Sequence, residues 1–326
     1  MPKRHKKCPV CNSVETRKDG QGRGIQRYRC TDCGKRFSDS RREKKVLTRH
    51  LWEEYVFHKQ TVRELAERYG LDRRFVREHL HTYMPPKKVH SPRLVHIAVD
   101  ATYFGERVEG SSWCVVVARD HEAGEDLMWE FAETERTSVY RQLREELESL
   151  GYTIASVTGD GFGGIRSAFR GIAYQMCHVH MERIVVRGTT KNPQTEAGQV
   201  LLALVQTLHD TTKQTFIKRL QQYFHMYGAF LDEMTTNPIT GKRFRTHKNL
   251  RSAAMSLKFF LPYLFTYSSN THISKTTNSL EGRFSHINNV TTIHRGLSRQ
   301  QKMKLIHSIL LASTIAPDKK KLEEIL

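Results

Sequence analysis

The chain of 326 residues has no stretch that approaches the roughly 18 apolar residues a membrane helix needs. Its densest apolar runs, "VLLALV" and "FFLPYLF", are short or broken by Pro262, so no membrane span is expected. No apolar region follows the charged opening "MPKRHKKCPV", so no secretory signal is expected either. Acids are the scarce class: 34 Asp and Glu face 53 Lys and Arg, a net charge of +19. Residues 1–93 hold 25 basic and 11 acidic side chains, so +14 of that excess lies there. Such an asymmetry favours a polyanionic partner, with counterion release supplying affinity that does not depend on sequence. Cysteines number only six, too few for a disulfide scaffold and without an export context to oxidise them. Neither the P-loop nor the dinucleotide-binding glycine pattern is present; "GDGFGG" matches neither. The expectation is a soluble protein of the cytoplasm, associated with the nucleoid.

Four of the six cysteines are placed with purpose. Cys8 and Cys11 in "CPVC", and Cys30 and Cys33 in "CTDC", form the pattern C-x2-C-x18-C-x2-C, which suits one tetrahedral Zn²⁺ held by two tight knuckles. The alternating "IQRYRC" between the pairs fits a small β-ribbon, too short to hold a core without metal. Residues 46–83 then read as helices. Leu65, Ala66, Tyr69, Leu71, Val76 and Leu80 recur at helical spacing, Gly70 ends one helix and another starts after a short turn, as in a helix-turn-helix. Its second helix would present Arg73, Arg74 and Arg77 in its first turns, where readers of the DNA major groove place contacts.

From residue 94 the texture changes. "RLVHIAVDATYFG", "SSWCVVVARD" and "EDLMWEFAET" read as three consecutive strands, "SVYRQLREELESLG" as a helix, and "TIASVTGDGF" as a fourth strand. "GIAYQMCHVH" reads as a fifth short strand. Three antiparallel strands, a crossover helix and then parallel strands make a ribonuclease H-like order, in which the ends of the first and fourth strands are neighbours. Asp100 and Asp160 stand at those ends. A carboxylate at the end of an apolar strand needs a partner, and two brought together repel unless cations lie between them. Two Mg²⁺ ions would relieve the repulsion, activate a water or a 3′-hydroxyl and stabilise a leaving oxygen. Such a pair wants a third carboxylate. From Lys242 to Ala316 the chain holds a single acid, Glu281 in "TTNSLEG", with Arg283 two residues beyond. Cys177 and His180 stand in "CHVH"; from the residues alone His180 is read as lying beside the active site and Cys177 as packing, with metal binding by either left open. The basic "GKRFRTHKNLR" reads as a segment that touches DNA backbone.

Asp100 in "VDATYFG", Asp160 in "TGDGF", "CHVH", a long helical stretch and "TTNSLEG" together resemble the DDE transposases of bacterial insertion sequences related to the eukaryotic Mutator superfamily. The resemblance spans roughly residues 94–311. It implies an α/β ribonuclease H-like catalytic domain with an all-α insertion, preceded by a zinc ribbon and a helix-turn-helix that bind transposon ends. Residues 1–42 are then the zinc ribbon, 43–84 the helix-turn-helix and 85–93 a linker. Residues 94–180 form the first part of the core, 181–270 the insertion, and 271–326 the last part of the core with C-terminal helices. The implied activity is two-metal DNA cleavage and strand transfer by Asp100, Asp160 and Glu281, with His180 beside them. Mg²⁺ or Mn²⁺ and Zn²⁺ are the implied cofactors. Arg73, Arg74, Arg77 and Arg283 are the DNA-binding candidates. Transposon-end and target DNA are the implied partners of a homodimer or higher oligomer. The competing readings are a DNA-binding regulator with an inactive ribonuclease H-like domain and a structure-specific nuclease of the same fold.

Overall fold

A computed structural model describes residues 6–22, 25–38, 40–105 and 112–314. Residues 1–5 of the expected ribbon and 315–326 of the expected C-terminal helices lie outside the described residues. The chain divides into two compact units: residues 1–86 with 290–309, and residues 87–289 with 310–326.

The first unit opens with a three-stranded antiparallel sheet, β1 (Thr16–Gly22), β2 (Ile25–Cys30) and β3 (Arg36–Ser38), in the order β1-β2-β3. Three helices follow: α1 (Ser40–Val56), α2 (Val62–Tyr69) and α3 (Arg73–Thr82). Their ends are written in the sequence. Thr61 and Glu64 make a reciprocal capping box at the start of α2, and Gly70 closes it in the left-handed conformation at φ +60°. Only a residue without Cβ adopts that conformation cheaply. Asp72 then caps α3 by accepting from the backbone N–H groups of Arg74 and Phe75. Leu65, Ala66, Val76 and Leu80 are the buried faces of this pair.

In the larger unit, β4 (Leu94–Phe104), β5 (Trp113–Asp120) and β6 (Glu125–Ala132) form an antiparallel meander. Helix α4 (Thr137–Ser149) crosses to β7 (Thr153–Gly159), which pairs parallel to β4. After the short α5 (Gly163–Ala168), β8 (Ala173–Met176) pairs parallel to β7. The order β6-β5-β4-β7-β8 gives a five-stranded mixed sheet, consistent with the ribonuclease H-like order read from the sequence. One expectation needs correction: "GIAYQMCHVH" is not strand throughout. The strand ends at Met176, and His178 to Thr189 form α6 with Cys177 at its N-terminal boundary.

Helices α6 (His178–Thr189), α7 (Glu196–Gln206), α8 (Lys213–Leu231) and α9 (Lys248–Leu264) make up the stretch expected as an insertion, with a hairpin of β9 (Met234–Thr236) and β10 (Arg243–Arg245) before α9. These helices do not hold a core of their own. Leu201, Phe216, Leu220 and Leu257 join Val95, Val99, Val116 and Val157 of the sheet in one buried cluster. Each such side chain contributes about 1.5–3 kcal/mol on burial, so sheet and helices stabilise one another. Residues 85–93, expected as a linker, are also tied down. Lys88 pairs with the buried Glu125 at 2.7 Å, and Arg93 with Asp120 and Glu125 at 2.8 Å each. Lastly come α10 (Asn278–Ile293) and α11 (Arg299–Leu311). Residues 290–309 cluster with the first unit, whereas the sequence boundary assigned them to the end of the catalytic core. The reason lies in the contacts they make there: His294 Nε2 lies 2.9 Å from the Tyr55 carbonyl, and the indole N–H of Trp52 donates to Ser308 at 3.0 Å.

Candidate active site and metal cluster

Ala98 of β4 stands opposite Thr158 of β7, the last pair of that parallel ladder, so Asp100, inside β4, lies beside the turn just past β7 that carries Asp160. β4 continues to Phe104, so Asp100 is not at the end of its strand as the sequence reading had it, while Asp160 does follow directly on β7. Asp100 Oδ1 accepts from the Ala101 N–H at 2.8 Å, and Asp160 Oδ1 from the Phe162 N–H at 2.9 Å. Among the described residues neither aspartate has a basic partner within ion-pair distance. Burial pushes the Asp100 carboxyl up from 3.8 to about 7, and the like charges of Asp160, Glu135 and Glu281 push the same way. The turn that carries Asp160 explains the glycines around it. Gly161 has φ +101°, and a Cβ there would meet Met176 and Phe260 at 3.0–3.1 Å. The glycine run therefore serves close packing under the acid.

Glu281 lies in the first turn of α10. Both of its oxygens are engaged: Arg183 of α6 donates from Nη1 at 2.7 Å and from Nη2 at 2.8 Å. His180 Nε2 stands 4.0 Å from Glu281 Oε1, and burial lowers the His180 pKa. Cys177 and His180 meet at one residue. The Thr277 N–H and hydroxyl lie 3.4 and 3.5 Å from Cys177 Sγ, and the same hydroxyl is 3.4 Å from His180 Nδ1. Thr277 is fully buried, and its carbonyl accepts from the Leu280 and Glu281 N–H groups. The His178 N–H donates to the Lys275 carbonyl at 3.0 Å, and the Thr158 hydroxyl to the Ser274 carbonyl at 2.9 Å. The segment leading into α10 is thus laced to the ends of β7 and α6.

Two residues that the sequence reading did not single out stand with the acids. Glu135, just before α4, accepts from the buried Tyr140 hydroxyl at 2.6 Å, and its pKa is raised by burial and by Asp160. Arg183 is the other. No spacing rule marks either, because each is positioned by tertiary contact; for Arg183 the one local signal is its i+3 placement after His180. Arg283 is placed differently from the sequence reading. It pairs with the fully buried Asp126 at 2.7 Å, and Arg119 holds the same carboxylate. Two cations of the basic "GKRFRTHKNLR" segment, Arg245 and Arg251, are likewise shared by Asp232. Arg73, Arg74 and Arg77 are exposed along α3.

Among the described residues, Cys8, Cys11, Cys30 and Cys33 are the one group of metal-ligating side chains whose donor atoms all lie within 4.8 Å of one another. All are free thiols; Cys8 Sγ lies 3.5 Å from Cys33 Sγ, and Cys11 Sγ 3.6 Å from Cys30 Sγ. A Zn–S bond of about 2.3 Å sets tetrahedral S···S separations near about 3.8 Å, so the cluster can hold one such ion. The carboxylates do not converge to that degree. Their donor set of hard oxygens, with one oxygen of each aspartate facing no cation, still suits Mg²⁺ or Mn²⁺.

No protein-family profile matches the sequence, and no curated protein matches it. Solved structures similar to this chain include a chain of the Drosophila P element transposase strand transfer complex, at 10% identity and a TM-score of 0.37, covering 81% of this chain and 91% of that one. Another belongs to a simian T-cell lymphotropic virus intasome in complex with the PP2A regulatory subunit B56 gamma, at 12% identity and a TM-score of 0.21, covering 62% of this chain and 74% of that one. At such distances the function must be argued from the chain's own residues. Among the described residues no helix is long and apolar enough to cross a membrane.

Proposed function

We propose that this chain is a DNA transposase that cleaves and joins DNA strands at a site formed by Asp100, Asp160 and Glu281. The observation that supports the reading is that the parallel β4–β7 register sets Asp100 beside Asp160 just past β7, where burial and like charges raise the Asp100 carboxyl to about 7. A fold tolerates such a carboxylate when a ligand of opposite charge is to be bound there. Divalent cations held by these acids would supply charge neutralisation and polarisation of the attacking oxygen. Water attacks a phosphodiester phosphorus, the bond to the 3′ oxygen breaks and a 3′-hydroxyl is released. That hydroxyl then attacks a phosphodiester of target DNA, forming one strand bond as another breaks. No covalent protein–DNA intermediate is required.

The chain's own residues supply position and charge. Cys177 and His180 hold Thr277, which caps the helix that carries Glu281. Arg183 balances the Glu281 carboxylate and yields it when a stronger cation arrives. The four-cysteine cluster binds Zn²⁺ and holds β1–β3 as a zinc ribbon, and α2 and α3 act as a helix-turn-helix on the transposon ends. A DNA-binding regulator with a silent sheet domain is the second reading, favoured by the bidentate Arg183–Glu281 pair. The test uses labelled DNA from the flanks of the coding gene, incubated with the protein and Mg²⁺ or Mn²⁺. The transposase reading requires metal-dependent nicking that Asp160→Asn abolishes. DNA binding without cleavage under all conditions would favour the regulator.

A further inference from the structure

A cavity of about 730 Å³ lies within the first unit, beside α3. Arg74, Arg77 and His81 line one wall at helical spacing, and Arg295 and Leu297, in the turn between α10 and α11, line the other. Its volume falls in the range of about 300–1,000 Å³ found for ligand sites, and beside apolar walls that include Trp52, Tyr55 and Val62 it carries the cations Arg74, Arg77, Arg295 and Lys304.

The frame around it is fixed by named bonds. Lys304 donates to the carbonyls of Leu80, His81 and Tyr83 at 2.7–2.9 Å, which closes the C-terminal end of α3, and its ammonium stands 4.5 Å over the Trp52 ring. The rings of Tyr55 and His294 stack at 3.8 Å. With three carbonyl acceptors, Lys304 has spent its donors on the fold. Arg74, Arg77 and Arg295 are exposed and make no ion pair among the described residues, and Glu78 is the one acid on the walls. Three uncompensated guanidinium groups around a groove are matched by phosphate, which accepts two parallel N–H bonds from each fork.

We propose that this groove seats the sugar-phosphate backbone of the DNA duplex engaged by α3, with Arg295 as a phosphate ligand supplied from far downstream in the chain. The inference rests on the reading of this protein as one that acts on DNA. It adds that the DNA-binding face is made by two separate segments, residues 73–81 and the 295–297 turn. Arg295 lies on a turn and not on a helix that enters a groove, so its contribution is independent of base sequence.

The test measures binding of a short mixed-sequence DNA duplex to the full-length chain by fluorescence anisotropy across a salt series. Arg295→Ala is expected to lower the slope of log K against log salt by about 0.9 and to weaken binding equally on unrelated sequences. Arg295→Lys is expected to keep most of the slope, and the melting temperature is expected to stay at the wild-type value because the side chain is exposed. If Arg295→Ala leaves slope and affinity unchanged while Arg74→Ala with Arg77→Ala reduces both, the groove proposal is wrong and the DNA reading of α3 stands. If the wild-type chain shows no affinity for duplex DNA, both fall together.

Discussion

The four-cysteine cluster and the carboxylates beside β4 and β7 are built in opposite ways. Four thiols converge within 4.8 Å at the edge of a sheet with few buried residues, a geometry that could hold one metal ion. The carboxylates stand apart at the end of a sheet with a large apolar core, each braced by a backbone N–H or by Arg183. One arrangement is closed and serves the fold. The other is braced by protein contacts alone and leaves its acids apart, as an exchangeable-ion site would on the proposed reading.

Removing a thiol should therefore have the largest effect. Cys30→Ser is expected to abolish zinc retention and ordered structure in residues 6–38, read as loss of bound metal and rapid proteolysis there, while the melting of the larger unit stays at the wild-type temperature. Retained protease resistance after complete zinc removal would break the comparison. Asp160→Asn or Glu281→Gln should leave the fold intact and lower metal-dependent cleavage by about 10²–10³-fold or more, the scale on which single charge-stabilising groups act.

The next effect is on placement. Thr277→Val removes the hydroxyl that faces both Cys177 and His180, and should cost about 0.5–1.5 kcal/mol in stability. Its cleavage rate should fall about 10–100-fold, with DNA affinity unchanged, as for residues that orient a metal ligand. Equal loss of DNA binding would place the residue elsewhere in the argument.

A pH effect sharpens the contrast further. Asp100 binds its proton more tightly in the folded chain than in the unfolded one, because its pKa rises from 3.8 to about 7. The group therefore favours the metal-free fold at low pH, and that contribution is lost as pH rises from about 4 through 7. Asp100→Asn should raise the stability of metal-free protein at pH 8 by on the order of 1–3 kcal/mol, seen by thermal melting. Mn²⁺ affinity of the wild-type chain should climb with pH up to about 7 and level off above it; a flat profile would contradict this assignment. The smallest expected change is that of Arg183→Ala, whose half-exposed ion pair should contribute no more than about 1 kcal/mol to stability. Its informative readout is Mn²⁺ affinity, expected to increase when the competing guanidinium is gone.

Legibility in the sequence followed locality. The cysteine pairs and the closing Gly70 are short-range signals, and the structure realises each where the spacing puts it; the caps Thr61 and Asp72 were equally local but were not singled out. The nearness of Asp100 and Asp160 was legible because the strand order makes β4 and β7 neighbours, and Glu281 stands out as the single acid in a long basic stretch. Arg183 and Glu135 were not legible: the partner of Arg183 is far downstream on α10, and the Glu135 N–H donates to the Tyr103 hydroxyl of β4. The contact of Arg283 was not legible for the same reason: its partner, Asp126, sits on β6, and no local pattern announces a buried carboxylate far away in sequence. That residues 290–309 cluster with the first unit was not legible, because amphipathic spacing shows that a face is buried without showing what covers it.

The most direct test of the shared carboxylate site is Mn²⁺ binding followed by calorimetry at pH 8, comparing wild type with Asp100→Asn and Glu281→Gln. The account predicts that the wild-type chain, with its cysteine cluster already filled by zinc, takes up Mn²⁺ and that each substitution weakens that uptake by at least about tenfold. Wild-type uptake in both variants would mean that these acids hold no common ion, and the catalytic reading would be wrong.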